Sequence, residues 1–182
     1  MKKILLTSAG FENKNIENKF LELLNRNVQE AKVLFIITAA IDIGAVKILS
    51  KCADDLLNCG IKEENITVYN MHKAINEEEL QKFDAIYVCG GNTKYLVDRM
   101  NEINFKEVVN KFINNGGIYI GVSAGSIATS GNYENNLEFI KNKLDVHCEK
   151  GSKNGVIVND DAIDLTNNQA IYINDEEMVI FE

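Results

Sequence analysis

The regular alternation of short apolar runs with longer amphipathic stretches is the feature that most restricts how this chain can fold. The alternation continues from the N-terminus to about residue 122. The run "KVLFIITAA" (32–40) is apolar at successive positions, as in a parallel strand that is buried on both faces. Strands joined to helices by short links indicate βαβ units, and right-handed crossovers place the helices on both faces of the sheet. The sequence therefore predicts an α/β fold with a doubly wound, mostly parallel sheet.

The boundaries of the predicted elements follow from the apolar periodicity and from turn residues. We expect strands at residues 2–8, 32–40, 66–70, 84–91 and 116–122. We expect helices at residues 13–27, 43–59, 76–82, 93–100 and 104–114. Past residue 130 the pattern changes to short strand-like pieces, which we interpret as added C-terminal edge strands: residues 144–149, 155–158, 169–174 and 177–182. The chain has no proline and no Gly/Ser-rich linker, so we expect residues 1–182 to form a single domain.

Charge and apolar run length disfavour several classes of protein. The formal net charge is -8, whereas nucleic-acid binding needs clustered Lys and Arg. No apolar run reaches the roughly 18 residues of a membrane span, and "ILL" near the N-terminus is shorter than the apolar region of a signal peptide. None of the four cysteines forms a C-x-x-C pair, so a zinc site is not expected. We expect a cytoplasmic protein with free thiols and with no nucleic-acid or membrane partner.

A serine motif follows the fifth predicted strand. Gly121-Val122-Ser123-Ala124-Gly125 matches G-x-S-x-G, in the strand–turn–helix setting where this motif holds a strained serine and presents its hydroxyl. The helix start would also offer backbone N–H groups to a developing negative charge. For the motif alone, however, an ordinary turn with Ser123 as the helix N-cap is the favoured interpretation.

A second glycine-bearing strand end strengthens the catalytic interpretation. Residues Gly90 and Gly91 end the fourth predicted strand, and carboxyl ends of parallel strands meet at one edge of the sheet. The N–H groups of Gly91 and Ala124 could therefore form the two donors of an oxyanion hole. The alternative is that the glycines only turn the chain and that Thr93 caps the next helix.

A serine nucleophile needs a base and usually an acid that orients it. The chain has only two histidines. His72 follows the third predicted strand and could lie at the same sheet edge, while His147 lies in "KLDVHCE", which we expect to be a strand. Three carboxylates between the serine and His147 are candidates for the acid: Glu134, Glu138 and Asp145.

Four segments of the chain resemble a known family: "YVCGGNTKYL" (87–96), "NNGGIYIGVSAGS" (114–126), "LDVHC" (144–148) and the tail "DLTNNQAIYINDEEMVIFE" (164–182). The resemblance is to peptidase E (aspartyl dipeptidase) and its relative cyanophycinase, which are serine peptidases. It implies a flavodoxin-like sheet, similar to that of class I glutamine amidotransferases. It also implies chemistry that needs no cofactor and no metal.

The resemblance assigns roles to individual residues. It makes Ser123 the nucleophile and His147 the base. The family's acid lies soon after the nucleophile's helix, so Glu134 is the first choice and Glu138 the second. The remaining assignments are two oxyanion donors and two substrate contacts: Gly91 and Ala124, then Asn92 and Thr93.

The function expected from the resemblance is hydrolysis of small peptides through a Ser-His-acid triad and an acyl-enzyme. Dipeptides with an N-terminal aspartate are one candidate substrate. In this chain, however, the segment after the histidine is reduced to "EKGSKNG" (149–155), which contains no arginine to read an acidic substrate. The lysines that could replace that charge are Lys94, Lys150 and Lys153.

Several alternatives remain open at this point. One is an esterase or other acyl hydrolase that uses the same elbow. Another is an amidotransferase-like relative with a cysteine nucleophile, for which Cys89 and Cys148 are the nearby thiols. A third is a catalytically silent binding domain of the same fold. An exposed edge strand also makes a homodimer plausible.

Overall fold

A computed structural model of the chain describes residues 1–182. It contains one eight-stranded sheet and a separate pair of two-residue strands. The ten strands in chain order are β1 (Lys3–Thr7), β2 (Val33–Ile36), β3 (Ile66–Tyr69), β4 (Ala85–Val88), β5 (Ile118–Val122), β6 (Leu144–Asp145), β7 (Gly155–Val156), β8 (Ile163–Asp164), β9 (Ala170–Ile173) and β10 (Met178–Phe181).

The strand order of the large sheet is β3-β2-β4-β5-β1-β9-β10-β7. The first five strands in this order run parallel to one another, and the three C-terminal strands continue the sheet in antiparallel fashion. The predicted fold class, a mostly parallel sheet with added C-terminal edge strands, is confirmed. Strand β5 lies between β4 and β1, so its carboxyl end has a strand end on each side.

Six α-helices connect or follow these strands, with two short 3-10 helices at Val28–Glu30 and Glu63–Asn65. The structure contains no helix that could span a membrane. The six α-helices are α1 (Lys14–Leu24), α2 (Ala45–Asn58), α3 (Glu77–Leu80), α4 (Thr93–Glu102), α5 (Phe105–Asn114) and α6 (Ala124–Ile127).

The helix ends agree with the local sequence. Asn25 ends α1 three residues earlier than predicted, because it adopts the left-handed conformation with φ 47°. Asn76 caps α3 with its side chain, and it forms a reciprocal capping box with Glu79.

The two faces of the sheet carry separate apolar cores, because side chains alternate between faces along each strand. In β4, Ile86 and Val88 belong to the core beneath α4 and α5, whereas Ala85 and Tyr87 belong to the core beneath α1 and α2. Helices therefore cover both faces, which is the doubly wound arrangement.

The segment 144–149 differs from its prediction. It does not join the large sheet, in which β9 lies beside β1. Only β6 is extended there, and it pairs in parallel with β8, a strand that the sequence analysis did not predict. His147 lies beyond β6 with φ 60°, a conformation that cannot continue a strand.

Candidate active site

Ser123 occupies a strained turn between β5 and α6. Its backbone has φ 48° and ψ -107°, which is outside the regions that residues with a β-carbon usually adopt. The Ser123 N–H donates to the carbonyl oxygen of Thr7 on β1 at 3.0 Å. Its hydroxyl does not cap the helix, in contrast to the ordinary-turn interpretation. The turn therefore presents the hydroxyl to other groups.

The two glycines of the motif let this turn pack against the sheet. A β-carbon on Gly125 would lie 2.3 Å from the Val88 carbonyl oxygen, and one on Gly121 would lie 2.7 Å from the Gly125 carbonyl carbon. Real β-carbons do not approach backbone atoms so closely. The buried hydroxyl of Tyr119, on β5, donates to the Gly125 carbonyl oxygen at 2.8 Å and helps to hold the turn in place. Steric necessity therefore explains both glycines.

His147 lies against the serine. Its Nε2 atom is 3.0 Å from Ser123 Oγ, within hydrogen-bond distance. The other histidine, His72, follows β3 at the far edge of the sheet and hydrogen-bonds through its backbone to the Asn70 side chain. Of the two candidate histidines, the fold brings His147 to Ser123.

Asn167 holds the opposite side of the imidazole ring. Its Oδ1 atom lies 2.8 Å from His147 Nδ1. Because an amide oxygen can only accept, this contact places the ring proton on Nδ1. The Nε2 lone pair then faces the Ser123 hydroxyl, which is the tautomer that a general base requires.

The carboxylates favoured by the sequence lie elsewhere. The position against Nδ1 that we expected Glu134 to fill is taken by Asn167, and Glu134 is exposed with no hydrogen bond to the ring. Glu138 forms an ion pair with Lys106 at 2.7 Å. Asp145 is an exposed residue of β6. The difference lies in the path of the chain. The loop between β8 and β9, which carries Asn167, reaches the histidine, whereas the loop after α6, which carries Glu134, does not.

Ser8 joins the histidine and the asparagine. Its buried hydroxyl accepts the His147 backbone N–H at 2.8 Å and donates to Asn167 Oδ1 at 3.3 Å. The same oxygen lies 3.5 Å from His147 Nδ1. Ser8 thus fixes the backbone of His147 in its left-handed conformation while it orients the side-chain amide behind the ring.

Sequence reasoning missed both Ser8 and Asn167, although their positions carry a signal. Ser8 directly follows β1, the neighbour of β5, so it had to lie at the carboxyl edge. Asn167 precedes β9, which runs antiparallel to β1 and pairs Ala170 with Thr7. A loop that enters an antiparallel strand at that register also lies at this edge.

The end of β4 lies beside Ser123. A β-carbon on Gly90 would be 3.2 Å from the Ser123 β-carbon. Gly91 is exposed with φ 136°, and no hydrogen bond in the structure uses its N–H. Ala124 is the first residue of α6, where a backbone N–H has no acceptor within the helix. The two amides that we expect to form an oxyanion hole are thus both at the serine's edge of the sheet.

The residues after Gly91 have a structural role in α4. The Asn92 side chain accepts the Tyr95 N–H at 2.9 Å and caps the helix, while Thr93 is the first helical residue. The cap is therefore Asn92 and not Thr93. Both residues border Gly91, and their contact with substrate remains a prediction.

The thiols near the site are not activated. Burial raises the pKa of Cys89 well above its ordinary value. Burial is also the main cause that raises the pKa of Cys148. Reactive cysteines instead have lowered pKa values that favour the thiolate. The electrostatics of these two residues therefore disfavour a cysteine nucleophile. No group of three or more His, Cys, Asp or Glu side chains is arranged to hold a metal.

The fold and the site define a class: a doubly wound α/β protein with a serine elbow that faces a histidine at the carboxyl edge of the sheet. The chain belongs to peptidase family S51, whose family model matches residues 4–145. This match confirms the resemblance to peptidase E. It includes the elbow and the β4 glycines, and it ends two residues before His147.

The chain is also similar in sequence to two proteins named as peptidases. The chain is 27% identical over 138 residues to an uncharacterized peptidase of Pasteurella multocida, covering 74% of this chain and 63% of that protein. It is 30% identical over 132 residues to an uncharacterized peptidase of Listeria monocytogenes, covering 72% of this chain and 62% of that protein. The match thus spans less than two thirds of the length of these relatives.

Two solved structures share the fold. A candidate peptidase E protein from Listeria monocytogenes superposes with a TM-score of 0.78 at 22% identity, covering 100% of this chain and 98% of that chain. A peptidase from an acI-B1 Actinobacterium superposes with a TM-score of 0.68 at 13% identity, covering 100% and 87%. At these identities the likeness concerns the fold alone.

Proposed function

We propose that this chain is a serine peptidase that cleaves small peptides through an acyl-enzyme, with Ser123 as nucleophile and His147 as general base. The observation that carries the proposal is the 3.0 Å contact between Ser123 Oγ and His147 Nε2. The strained backbone of Ser123 and the contact of His147 Nδ1 with the Asn167 amide oxygen support it. Membership of a peptidase family makes peptide bonds the expected substrate.

The mechanism uses each of these groups in turn. His147 Nε2 takes the proton as Ser123 Oγ attacks the amide carbonyl. The N–H groups of Gly91 and Ala124 stabilise the oxyanion of the tetrahedral intermediate, and losing one such donor typically costs roughly 10²–10³ in rate. The leaving amine then takes the proton from Nε2. Water, activated by the same nitrogen, releases the acyl group and regenerates the serine.

Asn167 replaces a carboxylate as the third member of this triad. Its amide oxygen holds the ring tautomer and orientation but adds no negative charge to stabilise the imidazolium. A neutral asparagine serves the same position in papain-like cysteine proteases. We therefore propose a Ser-His-Asn triad in place of the Ser-His-acid triad expected from the sequence.

The test is covalent labelling with a fluorophosphonate, followed by assay on short peptides. Ser123→Ala should abolish both labelling and hydrolysis, because no other serine lies against an imidazole Nε2. Its melting temperature should stay close to that of the wild type. Ser50→Ala, which removes an exposed hydroxyl on α2, is the matched control and should label normally.

The outcomes separate the remaining candidates. Turnover of esters without turnover of peptides would point to an esterase on the same elbow. A folded wild-type protein that neither labels nor cleaves would point to a binding domain that retains the scaffold. Either result would contradict the peptidase proposal.

A further inference from the structure

An exposed apolar segment adjoins the proposed active site. Four of the ten large apolar side chains that the structure exposes lie within residues 41–48. They occupy the end of the loop after β2 and the first turns of α2. We call these four side chains the apolar patch: Ile41, Ile43, Val46 and Ile48.

One member of the apolar patch, Ile48, lies next to the nucleophile. A β-carbon on Gly90 would lie 3.3 Å from Ile48 Cγ2 and 3.2 Å from the Ser123 β-carbon, so one glycine separates the isoleucine from the serine. The same loop also lies beside the proposed oxyanion hole, because the Ala39 carbonyl oxygen accepts the N–H of Asn92, the residue after Gly91, at 2.8 Å. A substrate carbonyl bound at Gly91 would therefore carry its side chain close to Ile48, the patch residue nearest to Ser123.

The charges around the apolar patch do not favour an acidic side chain. Within the segment, Asp42 and Lys47 carry opposite charges and are both exposed. Lys51, one turn further along α2, is already bound to Glu12 at 2.6 Å and to the Ala9 carbonyl oxygen at 2.7 Å. In α4, which follows Gly91, Lys94 forms an ion pair with Asp98 at 2.6 Å. Lys47 is thus the only cation among these that forms no ion pair.

We propose that the apolar patch is a substrate subsite, which selects peptides with an apolar residue on the acyl side of the scissile bond. This inference rests on the proposed peptidase function and names its substrate class. Ile43 is 96% exposed and Ile48 37% exposed, so both have surface to lose when an apolar side chain covers them. Removal of such surface from water favours binding in proportion to its area.

The experiment compares two short peptides that differ only in the residue before the scissile bond, Leu or Asp. We expect the wild type to cleave the Leu peptide with the higher kcat/KM. Ile48→Ser should lower kcat/KM for the Leu peptide by about 10-fold and leave the Asp peptide nearly unchanged, as expected for lost apolar contact. Leu57→Ser is the matched control, because Leu57 is a similarly exposed apolar residue of α2 outside the patch, at 42%.

A second variant covers the case in which Ile48→Ser fails to fold. Ile43→Ser removes a side chain that makes little contact within the protein, and it should reduce cleavage of the Leu peptide in the same selective way. Fluorophosphonate labelling of Ser123 distinguishes failure of the proposed function from failure of the subsite. Absence of labelling in the wild type would contradict the proposed function. Normal labelling without a preference for the Leu peptide over the Asp peptide would overturn only the subsite.

Two further results would overturn the subsite. One is a wild-type preference for the Asp peptide that Lys47→Ala abolishes, which would assign the segment to an acidic substrate. The other is a wild-type dimer that Ile43→Ser converts to a monomer with no change in peptide preference. That result would assign the apolar patch to contact with a second copy of the chain.

Discussion

The two sides of the candidate active site are built in different ways. The serine side consists of Ser123, its flanking glycines and the Gly90–Gly91 pair at the end of β4. The histidine side consists of Ser8, His147 and Asn167. The serine side lies within the part of the chain that the family model matches, whereas the histidine and asparagine lie beyond residue 145.

The serine side depends on local sequence, whereas the histidine side depends on contacts between distant parts of the chain. On the serine side, a five-residue motif sets the geometry, because only glycine fits against Val88 and within the turn. On the histidine side, hydrogen bonds link residues that are 139 and 159 positions apart in the sequence. No local pattern encodes such contacts, so they depend on the path of the whole C-terminal part of the chain.

His147→Ala has the largest expected effect, because it removes the group through which the two sides meet. We expect kcat to fall by roughly 10⁴-fold or more, in line with loss of the base in serine peptidases. Steady-state peptide hydrolysis measures it. His72→Ala is the control and should keep wild-type activity, since His72 lies at the far edge of the sheet. Equal loss in both variants would contradict the assignment of the base.

Asn167→Ala tests whether the histidine side needs its third member. We expect kcat/KM to fall by about 10²-fold, because Nδ1 loses the acceptor that fixes the tautomer. Asn167→Asp should restore much of the activity lost in the alanine variant, because a carboxylate oxygen can again accept from Nδ1. Wild-type kinetics in the alanine variant would remove Asn167 from the mechanism.

The same division explains what could be predicted from the sequence. Buried strands such as 84–91 and the G-x-S-x-G elbow were predictable, because apolar runs and glycine sterics act over a few residues. The partner of His147 was not, since Glu134 is nearer in sequence and has the expected charge, while Asn167 becomes a neighbour only after β9 has paired with β1. His147 itself was predicted on a strand that does not form.

Gly125→Ala tests the serine side by stability as well as by activity. The new β-carbon would meet the Val88 carbonyl oxygen, so the turn must shift, and we expect a loss of roughly 1–3 kcal/mol in the free energy of unfolding. Urea denaturation measures this loss. In the control, Gly44→Ala, nothing lies within 4 Å of the added β-carbon and φ is -63°, so its stability should hardly change. Equal stability of the two variants would show that close packing does not explain the glycine.

Ser8→Ala has the smallest expected effect on activity, and it tests how the histidine side is positioned. The variant keeps Ser123, His147 and Asn167, but the His147 N–H loses its acceptor and Asn167 Oδ1 loses a donor. We expect kcat to fall by about 10-fold with little change in KM, because a misplaced ring affects proton transfer more than substrate binding. Ser130→Ala also removes a buried hydroxyl, one bonded to the Ile127 carbonyl oxygen, and it should lower stability without lowering kcat. If the two variants lose the same activity, Ser8 acts only through stability, and the histidine side is positioned by Asn167 alone.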